Sequence, residues 1–527
     1  MAMIDAEERA SNPTREESTT DFVSLLFPGP DVMQPGVEQP DCFVDLHLDQ
    51  IVKAATAGRD EYELTAFYYQ PLSDPDQVRY RQDVLDDLSI GAVREAVGEF
   101  AEAMRVMRRY RRVAHKSEYG LVAQRWFLEA AGVYREAAQK LGAALESATP
   151  QSAGLAAVGR HVSRLLASSE FEEFVKVSRV LQEDLGNLEY SITIKGAHVQ
   201  VDAFSGAEEL APRVEETFRR FAQGEVAQYH WRFKDQIGLN RVEQQVLGCV
   251  ARLFPEPFAR LRTFCERYAR VFDDGLMRFD REVQFYLGYL EFIEPLQAGG
   301  LKFCRVVLHD RAEVFTEDGF DLSLAAKLAS ESRAPITNDF RLADPERVLV
   351  VTGPNQGGKT TFARMIGQIY FLAGLGLPVP AASAALALPD RVFTHFEREE
   401  SLETLRGKFE DELVRIRGIL EQATERSVLV MNESFGSTTL ADGLLVGSEI
   451  VRQIIDLGSV CVFVSFIDEL ATVGPQTVSM MSTVVPEDPS QRTFKIERKP
   501  ADGLAYAAAL ATKYRLGYDD LRGRIAS

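Results

Sequence analysis

Gly353-Pro-Asn-Gln-Gly-Gly-Lys-Thr-Thr361 is the stretch that decides the fold. It fits the phosphate-binding loop pattern Gly-x-x-x-x-Gly-Lys-Ser/Thr, with Gly353, Gly358, Lys359 and Thr360 in the fixed positions. Pro354, Asn355, Gln356 and Gly357 form the turn between them, and Thr361 completes the motif. Glycines let backbone N–H groups point inward at phosphate oxygens. Lys359 is expected to reach the outer phosphates and the Thr360 hydroxyl to ligate Mg²⁺. The flanks agree with this reading. Arg347-Val-Leu-Val-Val-Thr352 reads as a buried strand, and Phe362 to Ala373 as a helix whose N-terminus faces the phosphates. The competing reading is a glycine-rich surface turn.

The chain has 527 residues, enough for two or three domains. Hydrophobic residues make up 46% and charged residues 26%, the balance of a soluble globular protein. The net charge of −20 argues against indiscriminate coating of nucleic acid but leaves room for a local basic patch. Cys42, Cys249, Cys265, Cys304 and Cys461 form no Cys-x-x-Cys pair, and the odd count suits a reducing, cytoplasmic location. The scattered histidines predict no zinc site, and the N-terminus carries no secretory signal. Met365 to Pro389 is uncharged and could mimic a membrane span. Gly374, Gly376, Pro378 and Pro380 interrupt it, so it is expected to be a buried helix, a turn and a second buried piece, with no membrane contact.

Residues 1–41 read as a disordered or extended tail, polar at first and then punctuated by prolines. Residues 42–300 read as a mostly helical domain. Glu95 to Ala114 and Phe258 to Phe292 carry apolar residues at spacings of three and four, the second stretch starting after Pro255 and Pro257 and divisible at Gly275. Tyr190 to Asp202 alternates instead, turns at Lys195-Gly196, and predicts a β-hairpin. Residues 301–527 alternate strands and helices, an α/β nucleotide-binding domain. Its further strands are expected at Arg391–Thr394, Ser427–Met431 and Ser459–Val464, with an antiparallel pair at Thr477–Val485 and Arg492–Arg498 and a closing helix at Leu504–Arg515.

The strand Ser427–Met431 leads into Asn432-Glu433. An acidic element at a second strand end is what phosphate-loop enzymes use to hold Mg²⁺ and orient water. Glu433 is the expected general base or water-positioner, with Glu399 and Glu400 next in line, and Asn432 could accept a bond from a metal-bound water. The competing reading of Glu433 is a solvated strand-end carboxylate. Ser434-Phe-Gly-Ser-Thr-Thr-Leu-Ala-Asp-Gly443 is either a loop with a helix N-cap or a set of donors for a second molecule's nucleotide.

Taken together, these segments resemble the MutS family of DNA mismatch repair ATPases, relatives of the ABC ATPases. The loop resembles the family's Gly-Pro-Asn-Met-Gly-Gly-Lys-Ser-Thr. Thr438-Thr-Leu-Ala-Asp-Gly443 resembles its Ser/Thr-rich motif, and Asp390-Arg-Val-Phe-Thr394 its Asp-Arg-Ile-Phe-Thr strand. Pro71 to Asp83 resembles part of its helical core, and Gly503 to Ala511 its closing helix. The resemblance implies a helical core or lever joined to an ABC-type P-loop ATPase that uses ATP and Mg²⁺ as a homodimer. Thr438 and Thr439 would then complete the partner's site.

Departures accompany the likeness. The family's Asp-Glu is Asn432-Glu433, and its Thr-His falls at Ser465-Phe466, so the histidine that senses the γ-phosphate is missing. No adenine-packing aromatic stands near Pro335-Ile-Thr-Asn338. The expected N-terminal mismatch-reading domain has no place ahead of residue 42, and the DNA-gripping clamp is reduced to the 190–204 hairpin. A divergent, shortened branch is implied.

Arg105, Arg108, Arg109, Arg112 and Lys116 share one helical face. They read either as a stripe contacting DNA phosphates, or as a solvated face balanced by Glu95, Glu99 and Glu102 or an interface for an acidic protein. The expected function is a slowly hydrolysing, dimeric, DNA-associated ATPase; the alternative is an ATP-switched scaffold for a protein partner. A transporter ATPase subunit is disfavoured, because no Leu-Ser-Gly-Gly-Gln motif occurs.

Overall fold

Val348–Thr352 forms strand β1, and all five of its residues are buried. A strand covered on both faces needs such a continuous apolar run. The computed structural model describes residues 24–29, 38–196, 198–204, 241–309, 313–397, 407–433, 435 and 438–500. The tail to residue 23, the closing helix expected at Leu504–Arg515, Glu399, Glu400 and three members of the hydroxyl-rich motif (Ser434, Gly436, Ser437) lie outside these residues.

Beyond β1 the elements follow as α1 (Lys359–Gly374), β2 (Val392–Phe396), α2 (Lys408–Gln422), β3 (Val428–Asn432), α3 (Leu440–Leu457), β4 (Val460–Val464), β5 (Thr477–Val485) and β6 (Asp488–Arg498). They build one six-stranded sheet in the order β6-β5-β1-β4-β3-β2. Every neighbouring pair is parallel except β5–β6, which is antiparallel. Register aligns the C-terminal ends of the central strands: Val464 of β4 lies beside Val351 of β1 and Asn432 of β3. Loops that leave those ends therefore gather at one edge, where open α/β sheets bind ligands. Val350, Met431, Phe435, Ile450, Ile454 and Phe463 share one core between the sheet and its helices.

Phe362 to Gly374 is buried apart from Arg364. A helix apolar on all sides has to be enclosed, which accounts for the uncharged stretch from Met365. The helix ends at Gly374, Gly376 turns with φ +74°, and Ser383–Leu386 enters a second, four-stranded sheet with Val307–Leu308, Glu313–Gly319 and Asn338–Ala343. Among the described residues no helix is long and apolar enough to cross a membrane.

Two compact units divide the chain. One comprises Asp87–Gln151 and Leu155–Asp280; the other comprises Ser24–Asp86, Ser152–Gly154 and the chain from Arg281 on. This division does not follow the boundaries read from the sequence, because it groups residues 24–86 and 281–300 with the sheets. The described part of the first unit is mostly helical, with Gly91–Lys116 and Gly120–Ala148 the longest helices among the described residues, and it carries the hairpin of Tyr190–Lys195 and His198–Ala203. One expectation needs correction. The stretch from Phe258 breaks ahead of Gly275: helices run Pro255–Arg267 and Asp274–Ala298, and Asp273 caps the second by accepting from Leu276 N–H at 2.8 Å. The carboxylate cap, a strong helix-start signal, sets the boundary, and the glycine falls inside the helix.

Candidate functional site: a glycine loop at the sheet edge

Three glycines of the 353–358 loop are demanded by its geometry. Gly353 and Gly358 have φ of +107° and +91°, conformations that L side chains rarely adopt. A Cβ on Gly353 would lie 2.9 Å from the Ser482 carbonyl, and one on Gly357 would overlap Ser482 Oγ. Ser482, fully buried within β5, donates from that Oγ to Gly357 O at 2.7 Å. The loop is thus pressed onto the neighbouring strand, with Pro354 buried and Asn355 and Gln356 exposed at its apex.

Lys359 opens α1 and is 5% exposed. Its ammonium donates to Gly353 O at 2.9 Å, to Pro354 O at 3.1 Å and to Asn355 Oδ1 at 3.5 Å, so it sits inside the loop. Burial lowers its pKa; Arg492 adds to that fall, while Glu433 and Asp468 oppose it. Thr360 and Thr361 follow, half-buried on the first helical turn.

Glu433 leaves the end of β3 half-buried with φ +54°, its N–H bonded to Val464 O at 3.0 Å. Its carboxylate and the loop lysine therefore belong to one charge cluster. Next to it, Asn432 is 7% exposed, and its Oδ1 has no hydrogen-bond partner among the described residues. Thr352 Oγ1, at the end of β1, is in the same position. Buried polar atoms are nearly always satisfied. Two orphaned oxygens at the C-terminal ends of β1 and β3, the two strands that flank β4, fit a hydrated cation and a phosphate chain.

The hydroxyl motif is described in part. Thr439 is the N-cap of α3: its Oγ1 accepts from Asp442 N–H at 3.2 Å and donates to Asp442 Oδ2 at 2.8 Å. Thr438 is half-buried. Phe466, in the position of the missing histidine, is 50% exposed.

Four residues near the loop escaped the sequence reading. Ser482 is one. Arg492 of β6 donates from Nε to Asn355 O at 3.2 Å. Phe494, half-exposed with φ +59°, approaches within 3.6 Å of where a Gly358 Cβ would stand. Asp468, in the turn after β4, acts on the Lys359 charge. No local motif marks them; the β5–β6 hairpin and the strand order bring them in. Asn338 holds the hairpin, donating to Phe494 O at 3.1 Å and accepting from Ile496 N–H at 2.7 Å.

In the helical unit, the basic face is only partly as expected. Arg108 is drawn into an ion pair with Asp280, which is 1% exposed, so it is not part of an exposed stripe. Arg105 pairs with Glu102 at 2.7 Å on its own helix. Arg109, Arg112 and Lys116 are exposed.

Residues 349–508 match the family model for MutS domain V. The DNA mismatch repair protein MutS of Ruminiclostridium cellulolyticum is 29% identical over 274 residues. Over these stretches the chain is similar to MutS proteins. The alignment covers 45% of this chain and 31% of the relative's length. MutS domain V is an ATPase-type domain, and the matched stretch begins within β1 and takes in the loop, Glu433 and the β5–β6 hairpin.

Proposed function

We propose that this protein binds ATP with Mg²⁺ at the 353–361 loop, hydrolyses it slowly, and acts as a homodimer on DNA, in mismatch repair or a related DNA transaction. The observation that carries the proposal is the enclosed Lys359 ammonium within a loop whose glycines cannot bear side chains, facing the same edge as Glu433. The relative's name, a DNA mismatch repair protein, supports the DNA assignment. The finer architecture belongs to the same reading: an ABC-type P-loop domain over about residues 301–527 and a core or lever over 42–300, in a cytoplasmic protein.

Each residue then has a role. Backbone N–H groups of Gly353 to Gly358 and the α1 N-terminus hold the phosphates. Lys359 exchanges its carbonyl partners for the outer phosphate oxygens. Thr360 would hold Mg²⁺, which supplies charge neutralisation on the phosphates. Asn432 would hold a water of that ion through its orphaned Oδ1, and Glu433 orients the attacking water. Thr438 and Thr439 complete the partner's site across the dimer.

The test is ATP binding and turnover by the purified chain and by Lys359→Ala. Loss of affinity or turnover with an intact fold is expected, and unchanged hydrolysis overturns the assignment. A protein-directed ATP switch without DNA contact is the second reading, favoured by the net charge of −20 and by the loss of Arg105 and Arg108 to ion pairs. Binding to duplex and branched DNA at two salt concentrations separates the two, since phosphate contacts give a steep salt dependence.

A further inference from the structure

We propose that Glu412, on α2, is a positioning residue for hydrolysis: it fixes the turn that aims Glu433. The inference rests on Glu433 acting as the water-positioning carboxylate. Two residues of that turn, Glu433 and Phe435, have φ of +54° and +68°. Non-glycine residues hold such conformations only where their surroundings impose them, and they gather at functional sites. Here the surroundings are specific. Glu412 is 4% exposed, and its Oε2 accepts from Phe435 N–H at 3.3 Å. A carboxylate is costly to bury unless it receives hydrogen bonds, and the Phe435 N–H supplies one of them.

The Phe435 ring ties the same turn to the same helix. It is fully buried, its centroid 6.2 Å from that of Phe409 on α2. Gly443 and Gly447 of α3 lie alongside it: a Cβ built on either would stand 3.6 and 3.7 Å from the Phe435 side chain, ordinary packing distance. Backbone acceptance by Glu412 and ring burial at Phe435 together fix the segment two residues beyond Glu433. The Glu433 carboxylate is thereby pre-aimed without any contact between Glu412 and substrate.

The experiment compares Glu412→Ala, Glu412→Gln, Glu412→Asp and Glu433→Gln in the full chain, reading ATP affinity with and without Mg²⁺, melting temperature and kcat. Glu412→Ala is expected to keep ATP affinity within about twofold and to lose kcat by about tenfold or more, the mark of misplaced chemistry. Glu412→Gln, whose amide oxygen still accepts from Phe435 N–H, restores most of the rate. Glu412→Asp, one methylene shorter, does not. Should Glu412→Ala fail to fold, the contrast between Gln and Asp decides. Parental kcat in Glu412→Ala or Glu412→Asp, while Glu433→Gln is inactive, overturns the role of Glu412. So does a parallel loss of affinity, melting temperature and rate in the Glu412 variants, which marks a purely structural residue. Parental hydrolysis by Glu433→Gln overturns the underlying reading of Glu433, a result distinct from the other two.

Discussion

Lys359 is a cation almost sealed from water, held by two carbonyls and one amide oxygen. Its folded pKa lies below the usual 10.5 because burial disfavours the ammonium. Between the lowered value and 10.5 the unfolded chain binds more protons than the folded one, so nucleotide-free stability rises with pH across that window. An anion at the loop favours the charged form and raises the pKa again. ATP affinity is therefore expected to weaken as pH climbs through the lowered pKa, ahead of the ordinary lysine range. Lys359→Arg, which stays charged, is expected to flatten the profile; a titration of affinity from neutral pH upward checks both. Glu433→Gln is expected to bind ATP normally and nearly stop hydrolysis. Asn432 brings no charge to the metal's surroundings, and Phe466 has no donor. Loss of one placed donor costs on the order of a hundredfold in rate, so slow parental turnover is expected, with Asn432→Asp equal or faster in a steady-state assay.

At the scale of elements, α3 begins where the hydroxyl motif ends, and Thr439 serves the helix as its N-cap. The same hydroxyl is proposed to serve the partner's nucleotide, and substitution separates the two roles. Thr439→Ala is expected to cost about 1 kcal/mol of stability through the lost cap. Thr439→Asn keeps a capping oxygen and, through its amide N–H, a donor to Asp442, but replaces the hydroxyl offered to phosphate with a bulkier amide, so it should restore stability and leave hydrolysis impaired. Chemical denaturation and turnover on the same samples distinguish these effects. If the role is in trans, mixing Thr438→Ala/Thr439→Ala chains with Lys359→Ala chains restores activity through one intact site per heterodimer. No recovery despite verified subunit exchange counts against it. Of the two readings that the sequence left open for this motif, the structure shows the N-cap, with Asp442 N–H donating to Thr439, and the trans role stays a proposal.

At the scale of the molecule, the basic face of Gly91–Lys116 divides into a structural and an exposed set. Arg108→Ala leaves Asp280 buried without its cation, and breaking a buried pair in this way costs about 3–5 kcal/mol. A lower melting temperature is expected for Arg108→Ala. Arg109→Ala and Arg112→Ala are expected to leave melting unchanged and, on the DNA reading, to reduce the slope of log affinity against log salt by about one each. Unchanged slopes favour the protein-partner reading.

The order of strand, glycine loop, Lys-Thr and helix at 347–373 was determined by sequence alone, because each step is local: a β-branched run, a turn needing positive φ, and a helix start. The hairpin at 190–202 was legible for the same reason, since alternation and a turn at Lys195-Gly196 are neighbours in the chain. Tertiary structure alone decided which distant residues reach the loop. Strand β5 pairs with β1 across more than a hundred residues and brings Ser482 against Gly357; β6 brings Arg492 and Phe494; α2 slides Glu412 beneath the turn after β3. Strand order is set by which apolar faces bury together over the whole sheet, and no local pattern encodes it. The same holds for Arg108: its spacing marks a helical face, but only the packing of that helix against Asp280 determines that its charge is spent inside the fold.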